Sequence, residues 1–326
     1  MKRREVIALL GGAAVWPLAA RTQQPATQVV GFLNAASPEE YRPIVAAFHH
    51  GLQESGYVEG RNVTIEHRLA EGRIDRLPAM AAELVHRRVD VIAATTTPAA
   101  LAAKAATTMI PIVFEMGGDP IQLGLIASLN RPGGNVTGVT QLNVEVAPKR
   151  LELLHELVPA ARVMALLVNP ADPAVTEAYS RASQAAAHTL GLELHILNAS
   201  TERDFDVVFA KLTELRAGGL VISGDTLFVR GMDQLVALTI RHAAPAISSF
   251  REFAAAGGLM SYGGGITEAY RLAGIYTGRI LKGEKPADLP VLRATKVELY
   301  INLKTAKALG ITVPLPLSGR ADEVFE

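Results

Sequence analysis

The sequence predicts an α/β protein built from two doubly wound parallel-sheet lobes with a cleft between them. Short apolar runs alternate along the chain with segments whose apolar residues recur at helical spacing, which indicates parallel strands joined by helical crossovers. This alternation begins again near residue 148. The chain has 326 residues, which is longer than a domain with a single core usually is and fits two lobes of ~150 residues each.

The first half opens with a strand at 29–33 and a helix in which Ile44, Phe48 and Leu52 form one buried stripe. Gly56 is expected to end this helix, since glycine tolerates the backbone that follows a helix end. The next apolar runs predict strands at 63–66, 89–94, 110–114 and 136–139. Helices are predicted between these strands at 74–85, after Pro98 and at 121–129. Several strands are apolar at nearly every position, as a sheet covered on both faces requires.

The second half repeats the pattern. Helices are predicted at 148–157, 173–190, 203–215, 231–242 and 267–281, with a last helical turn at 305–309. Strands are predicted at 163–168, 192–197, 219–222, 246–249, 259–262 and 297–303. Ligands of open α/β sheets bind beyond the carboxyl ends of the strands, so the loops at those ends are the place to search for a site.

Composition excludes several classes of function. Lysine plus arginine and aspartate plus glutamate both number 32, so the chain lacks the basic surface that nucleic-acid binding requires. The absence of cysteine excludes disulfides, thiolate chemistry and cysteine-ligated zinc. No phosphate-binding glycine loop or nucleophile elbow is present, and adjacent His49 and His50 point to different faces of a helix. We therefore expect no enzyme activity, no catalytic residue, no cofactor and no metal.

The first residues have the three parts of a signal peptide. Lys2, Arg3 and Arg4 precede an apolar stretch at 6–20, and the small residues Ala19 and Ala20 lead into a polar segment. A buried N-terminal helix is the alternative, but the stretch has no polar face. We expect residues 1–22 to be cleaved on export. Because no cysteine is available for a lipid anchor, we expect the mature protein in a periplasm.

Polar side chains stand at the predicted strand ends and are the candidate ligand-binding residues. In the first half they are Asn34, Thr95, Thr96, Thr97, Glu115, Gly117 and Thr140. In the second half they are Asn169, Asp225, Ser249, Phe250 and Tyr262. The three threonines, followed by Pro98, either seat an anion at a helix N-terminus or simply cap that helix. Asp225 either pairs with a ligand ammonium or caps the helix that follows.

Several motifs resemble a known family over nearly the whole length. They are MKRRE at 1–5 through WPLAAR at 16–21, GYVEGRNV at 56–63, IPIVF at 110–114 with GDP at 118–120, LNRPGGNVTGV at 129–139 and NLKTAKALG at 302–310. The chain resembles the ABC-transporter substrate-binding proteins of the tryptophan/tyrosine type, which have the type I periplasmic binding protein fold.

The resemblance implies two lobes joined by three crossings, with residues 27–141 plus 264–285 in the first and 142–263 plus 286–326 in the second. It also implies that Thr95–Thr97 hold the ligand carboxylate and that Asp225 meets its amine. The charge of Glu115, expected at the cleft mouth, would oppose an amino-acid carboxylate. The predicted ligand is therefore either an amino acid, which could be aromatic, or a small carboxylate.

Two functions agree with these features. The first is a monomeric periplasmic solute-binding protein that delivers its small-molecule ligand to an ABC transporter permease. The alternative is a ligand-sensing module for a membrane signalling receptor. The same fold serves both, because fold alone does not decide function.

Overall fold

The computed structural model describes residues 27–141, 143–293 and 296–326 and shows an α/β protein with two sheets. The signal peptide predicted at 1–22 lies outside the described residues. The strands are β1 (Gln28–Asn34), β2 (Val63–Leu69), β3 (Val91–Thr95), β4 (Ile112–Met116), β5 (Val136–Thr140), β6 (Val163–Val168), β7 (Glu193–Asn198), β8 (Leu220–Ile222), β9 (Ala246–Ser248), β10 (Met260–Gly264), β11 (Leu292–Arg293), β12 (Val297–Asn302) and β13 (Glu323–Phe325).

Helices connect most of these strands. They are α1 (Pro38–Glu54), α2 (Leu77–His86), α3 (Thr97–Ala106), α4 (Ala147–Leu157), α5 (Pro173–Leu190), α6 (Asp204–Leu215), α7 (Thr226–Arg230), α8 (Met232–Arg241), α9 (Arg251–Ala255), α10 (Ile266–Leu281), α11 (Leu303–Ala308) and α12 (Leu315–Ser318). No described helix has both the length and the apolar character needed to cross a membrane.

Each sheet forms the centre of one lobe. The first sheet has the strand order β11-β5-β4-β3-β1-β2, and all of its pairs are parallel. The second has the order β13-β12-β10-β9-β8-β6-β7. There β12 runs antiparallel to β10, whereas the other pairs are parallel. The doubly wound architecture predicted from the sequence is thus confirmed, with one antiparallel exception in the second sheet.

Helices cover both faces of each sheet. In the first lobe, α1 and α10 pack on one face and α2 and α3 on the other. The strands β3, β4 and β5 are buried at every position, which explains their unbroken apolar runs. In the second lobe, α4 and α5 cover one face while α6, α8 and α9 cover the other.

Glycines allow α1 and α10 to pack in direct backbone contact. A Cβ atom at Gly274 would lie 2.1 Å from the carbonyl oxygen of Phe48, and one at Gly51 would lie 1.9 Å from that of Arg271. Both distances are far below van der Waals contact, so no larger residue fits at this crossing. Although α10 follows β10 of the second sheet, this crossing attaches it to the first lobe.

One lobe boundary differs from the sequence prediction. The short strand β11 pairs with β5 of the first sheet, whereas the family resemblance implies that residues 286–326 lie in the second lobe. Residues that pair with β5 must lie in the first lobe. We propose that the chain returns to the second lobe after residue 293 rather than after residue 285.

The helix predicted at 121–129 is wrong. The Oδ1 atom of Asp119 accepts hydrogen bonds from the amides of Ile121 (2.8 Å) and Gln122 (3.3 Å), which starts a single turn. Gly124 then adopts a φ of 69°, a left-handed conformation that ends the turn. Leu125 and Ile126 are nevertheless buried, so the apolar spacing reflects core packing without a helix.

Candidate ligand-binding cleft

A cavity lies between the two lobes at the carboxyl ends of the strands. Its first wall includes Thr96, Thr97, Glu115, Met116, Gly117 and Tyr270. Its second wall includes Asp172, Tyr179, Gly224, Asp225, Thr226 and Phe250. Gln141 and Asn143, from the segment that joins β5 to α4, lie between these walls. This is the position at which α/β proteins bind ligands.

Half of the sequence-predicted residues reach the cavity wall. They are Thr96, Thr97, Glu115, Gly117, Asp225 and Phe250. The others are absent from the wall, because their polar groups stabilise the loops behind it.

Three of these others lie behind the first wall. The Asn34 amide donates to the carbonyl oxygen (2.7 Å) and the hydroxyl (2.9 Å) of Thr95 and to the hydroxyl of Tyr270 (2.9 Å). The Thr140 hydroxyl donates to the Gly118 carbonyl at 3.1 Å. These bonds join neighbouring strand ends and fix the loops that form the wall.

The remaining three lie behind the second wall. The Asn169 amide donates to Oδ1 of Asp225 at 3.0 Å, and the Ser249 hydroxyl lies 3.2 Å from that of Tyr179. The Tyr262 carbonyl accepts from Nε of Arg150 at 2.6 Å. Each of these contacts positions a neighbouring residue.

The N-terminus of α3 opens into the first wall. Thr96 is the N-cap, and its hydroxyl accepts from the Ala99 amide at 3.4 Å. Thr95 belongs to β3 and is buried, so of the three threonines only Thr96 and Thr97 line the cavity. The first amides of a helix lack intrahelical acceptors and carry a partial positive charge. The capping interpretation is therefore confirmed for Thr96, and the anion seat stays a prediction.

Glu115 lies inside the first lobe rather than at the cleft mouth. It belongs to β4 and is 3% exposed. Burial raises the pKa of its carboxyl group from 4.5 to about 8, and a hydrogen bond from the Gln141 amide opposes part of this rise. The group is mostly protonated at neutral pH. The prediction of a charged Glu115 at the cleft mouth is therefore wrong. The objection that this charge raised to an amino-acid carboxylate no longer applies.

Two aspartates, Asp172 and Asp225, line the second wall. Burial raises the pKa of Asp172 to about 6; the amide of Val175 opposes this rise, and the nearby charge of Asp225 adds to it. Burial also raises the pKa of Asp225, although the Asn169 amide, the Leu227 amide and Arg230 lower it. Both residues cap helices, since the Leu227 amide donates to Asp225 at 2.8 Å and that of Val175 to Asp172 at 3.3 Å. Capping thus holds both carboxyl groups at the cavity wall.

A hydrogen-bonded chain connects the two lobes beneath the cavity. Nη2 of the fully buried Arg150 donates to Oδ1 of Asn143 at 3.1 Å. Nδ2 of Asn143 donates to Oε1 of Gln141 at 2.8 Å, and Nε2 of Gln141 donates to Oε1 of Glu115. In the side-chain amides of Asn143 and Gln141, the oxygen accepts a hydrogen bond from the preceding residue of this series. The NH2 group of each is therefore directed toward the following residue and donates to it. We name this chain, Arg150–Asn143–Gln141–Glu115, the linker relay.

The charges on the cavity wall are one-sided. Among the described residues that line it, three carry carboxyl groups and none is lysine or arginine. Arg150 lies behind the wall, where it donates to the carbonyls of Tyr262 and Asn143 and to the hydroxyl of Tyr179. The wall therefore favours a ligand that presents a cationic group.

Sequence reasoning missed Gln141, Asn143, Asp172, Tyr179 and Tyr270 on the wall. Asp172 had a usable signal, because an acidic residue before Pro173 marks a helix N-terminus beyond strand β6. Tyr179 and Tyr270 lie inside long helices, and their apolar spacing does not distinguish them from ordinary core residues.

The two lobes and the polar cleft define the class: a solute-binding protein with the type I periplasmic binding protein fold. The chain belongs to the ABC transporter substrate binding protein family, whose sequence pattern matches residues 29–325. This is a family of solute-binding proteins and not of enzymes.

Individual relatives agree with this assignment. A tyrosine-binding protein of Clostridioides difficile is 28% identical over 267 residues, which cover 80% of this chain and 75% of that protein. The structure of an ABC domain from Streptococcus pneumoniae in complex with L-Trp is 26% identical, covers 92% of this chain and 100% of its own, and has a TM-score of 0.82. A conserved domain protein from Vibrio cholerae has 25% identity, coverage of 91% and 99%, and a TM-score of 0.84.

Proposed function

We propose that this chain is an exported receptor that binds an amino acid in the interlobe cleft and delivers it to an ABC importer. One observation carries the proposal: the same cavity has two aspartates on one wall and the N-terminus of α3 with Glu115 on the other. An amino acid presents an ammonium and a carboxylate on one carbon. The two walls offer partners for both groups.

The second wall suits the ammonium. Asp225 is close enough to Asp172 that its charge disfavours ionisation of Asp172, and burial raises the pKa of both carboxyl groups. An ammonium between them stabilises both ionised forms, because an opposite charge at ~4–6 Å favours the charged form of an acid. Each aspartate accepts an amide hydrogen bond, so neither requires rearrangement to receive the ligand.

The first wall suits the carboxylate. The N-terminus of α3 supplies a favourable dipole, with the backbone amide and side chain of Thr97 beside it. Glu115 is mostly protonated at neutral pH and can donate its own proton in a hydrogen bond. The linker relay occupies Oε1 of Glu115, which leaves Oε2 to carry that proton. A carboxylic acid that donates to a carboxylate forms a strong charge-assisted bond.

The ligand we favour is an aromatic amino acid. Tyr179, Phe250 and Tyr270 line the cavity and offer ring surfaces for a flat apolar side chain. The relatives agree with this choice, since one is named a tyrosine-binding protein and another is a complex with L-Trp. We propose that the wall selects the amino-acid end by charge and the side chain by ring contacts.

The decisive experiment removes one end of the ligand at a time. L-tryptophan, tryptamine and indolepropionate are titrated calorimetrically into the purified chain; the amine lacks the carboxylate and the acid lacks the ammonium. Hydrogen bonds to charged groups contribute ~1.5–3 kcal/mol, so each analogue should bind at least about tenfold more weakly than tryptophan. L-tyrosine and L-leucine serve as aromatic and aliphatic comparators. Analogues that bind as tightly as tryptophan would refute the two-ended site.

The absence of turnover has its own measurement. Tryptophan recovered after prolonged incubation should be chemically unchanged. The melting temperature of the protein should rise in its presence, because binding stabilises the fold by RT ln(1 + [L]/Kd), which is ~2.7 kcal/mol at a hundredfold excess over Kd. A converted product would instead favour an enzyme.

Loss of tryptophan uptake in cells that lack the gene tests delivery to an importer, and retained uptake would favour a sensing role.

Export is part of the proposal. We propose that residues 1–22 direct the chain to the periplasm and are removed, leaving a monomeric mature protein that begins near residues 20–23. N-terminal sequencing of the protein from a periplasmic extract tests this. A product that keeps Met1 and stays with the membrane would contradict it.

A further inference from the structure

Two histidines and a glutamate converge at the outer edge of the first lobe, away from the cleft wall. His49 lies on α1, Glu59 lies in the loop between α1 and β2, and His67 lies on β2. One potential ligand atom from each side chain lies within 4.8 Å of those of the other two. Their spacing along the chain gave no sign of this grouping, and the sequence predicted no metal site.

The three residues stand on well-fixed backbone. In the loop that carries Glu59, the amide of Val58 donates to Oδ1 of Asn62 at 2.8 Å, and Nδ2 of Asn62 donates to the Gly56 carbonyl at 2.9 Å. His67 belongs to a strand in register with β1, and its ring lies 5.3 Å from that of Phe32. Sites built on rigid elements keep the geometry that a ligand requires.

His49 has an unusual environment for an imidazole. Its Nδ1 lies 3.5 Å from Oε2 of Glu59, while its Nε2 is buried and has no hydrogen-bond partner among the residues that the structure describes. Its ring stacks on that of His67, with centroids 6.1 Å apart and planes at 25°. A buried nitrogen without a partner is costly, and two stacked imidazoles repel each other once both are protonated. A cation shared by the two neutral rings removes the repulsion between them.

We propose that His49, Glu59 and His67 bind a divalent transition-metal ion, with Zn²⁺ as the preferred metal. Two imidazole nitrogens and one carboxylate oxygen form a donor set typical of zinc, and the ligand atoms of a tetrahedral zinc ion lie roughly 3.3 Å apart. The three ligand atoms, now within 4.8 Å of one another, would have to approach toward that value when the metal binds. A cavity of about 80 Å³ beside His49 and Glu59 leaves room for a water as the fourth ligand.

A metal at this position would brace α1, the loop and the edge strand β2 against one another. None of the three residues lines the cleft cavity, so the ion would stabilise the first lobe without touching the cleft ligand. This site is independent of the proposed function.

Calorimetric titration of the chelator-treated, untagged chain with ZnCl₂ tests the site. We expect one Zn²⁺ per chain and no comparable binding of Mg²⁺, which prefers oxygen ligands. His67→Gln and Glu59→Gln should each weaken Zn²⁺ binding by at least about tenfold. His50→Gln is the matched control: its neighbouring imidazole pairs with Glu54 at 2.9 Å and lies outside the cluster, so affinity should change by less than about twofold.

Both test variants alter exposed side chains, and circular dichroism establishes that they keep the fold. A visible absorption spectrum with Co²⁺ in place of Zn²⁺ reports the ligand set directly and should change in His67→Gln. No Zn²⁺ binding, or equal Zn²⁺ affinity in the wild type and His67→Gln, would overturn the proposal. Equal binding of Mg²⁺ would overturn it as well.

Discussion

The buried carboxyl group of Glu115 should make the free energy of unfolding depend on pH in a direction that is easy to test. Burial raises its pKa from 4.5 to about 8. Between these values the folded protein holds a proton that the unfolded chain has released. The stabilisation from this group is therefore complete below pH ~4.5 and is lost as the pH rises through about 8.

The magnitude follows from the two pKa values. Linkage gives a loss of about 4 kcal/mol in the free energy of unfolding between pH 5 and pH 9 from this group alone. Glu115→Gln removes the titration but keeps the shape and an oxygen that accepts from Gln141. Relative to the wild type, the variant should therefore gain about 4 kcal/mol over the same pH range.

Urea unfolding of both proteins at closely spaced pH values measures this difference. The titrations of Asp172 and Asp225 are common to both proteins and largely cancel. Glu214→Gln, on the exposed surface of α6 where Glu214 pairs with Lys211 at 2.8 Å, is the control and should show no such trend. A wild-type and Glu115→Gln difference that stays constant from pH 5 to pH 9 would refute a buried, proton-holding Glu115.

Two further predictions concern the cleft and the core. Asp225→Asn keeps an oxygen that caps α7 and accepts from Asn169, so the unliganded protein should stay as stable as the wild type. Its affinity for the amino acid should fall by at least about thirtyfold, because the ammonium loses its charged partner. Asp225→Ala also removes the helix cap and should lose ~1 kcal/mol of stability in addition. Calorimetry and urea unfolding measure the two effects, and unchanged affinity in Asp225→Asn would contradict the ammonium contact. Gly274→Ala should destabilise the fold by ~1–3 kcal/mol, since the new Cβ meets the Phe48 carbonyl. In a helix with open space around the glycine, the same Gly→Ala substitution instead stabilises the protein by ~1 kcal/mol. A rise in stability would therefore contradict the close crossing of α1 and α10.

The sequence was sufficient for the architecture because buried parallel strands are apolar at every position and helices carry one apolar stripe. Strands β3 to β5 and helices such as α1 follow from those patterns. Where apolar residues serve a turn, as at 121–129, the same pattern predicted a helix wrongly. The short helices α7 and α9 have five residues each, too few to show a period. The antiparallel β12 depends on pairing across the sheet, which local sequence does not record.

The cleft was predictable by position and less so by residue. Strand ends gave Thr96, Glu115 and Asp225, because the carboxyl ends of parallel strands meet at one edge. Polar residues at the same ends, such as Asn34 and Ser249, lie behind the wall and contact Thr95 and Tyr179. Which of two neighbouring polar side chains turns toward the cavity is decided by hydrogen bonds between distant loops, and a single sequence does not show them.

Protonation of Glu115 makes an acidic cleft compatible with the amino-acid ligand that we propose. If all three carboxyl groups were ionised, the wall would favour a multiply charged cation over an amino acid, whose net charge is zero. Burial keeps Glu115 mostly neutral, and the linker relay directs an amide N–H toward one of its oxygens. The carboxyl groups that remain available to an ammonium are those of Asp172 and Asp225, opposite the N-terminus of α3. Under the proposed function, one end of the cleft would hold an ammonium and the other a carboxylate. Arg150 would order that second end from behind the wall without placing a positive charge on it.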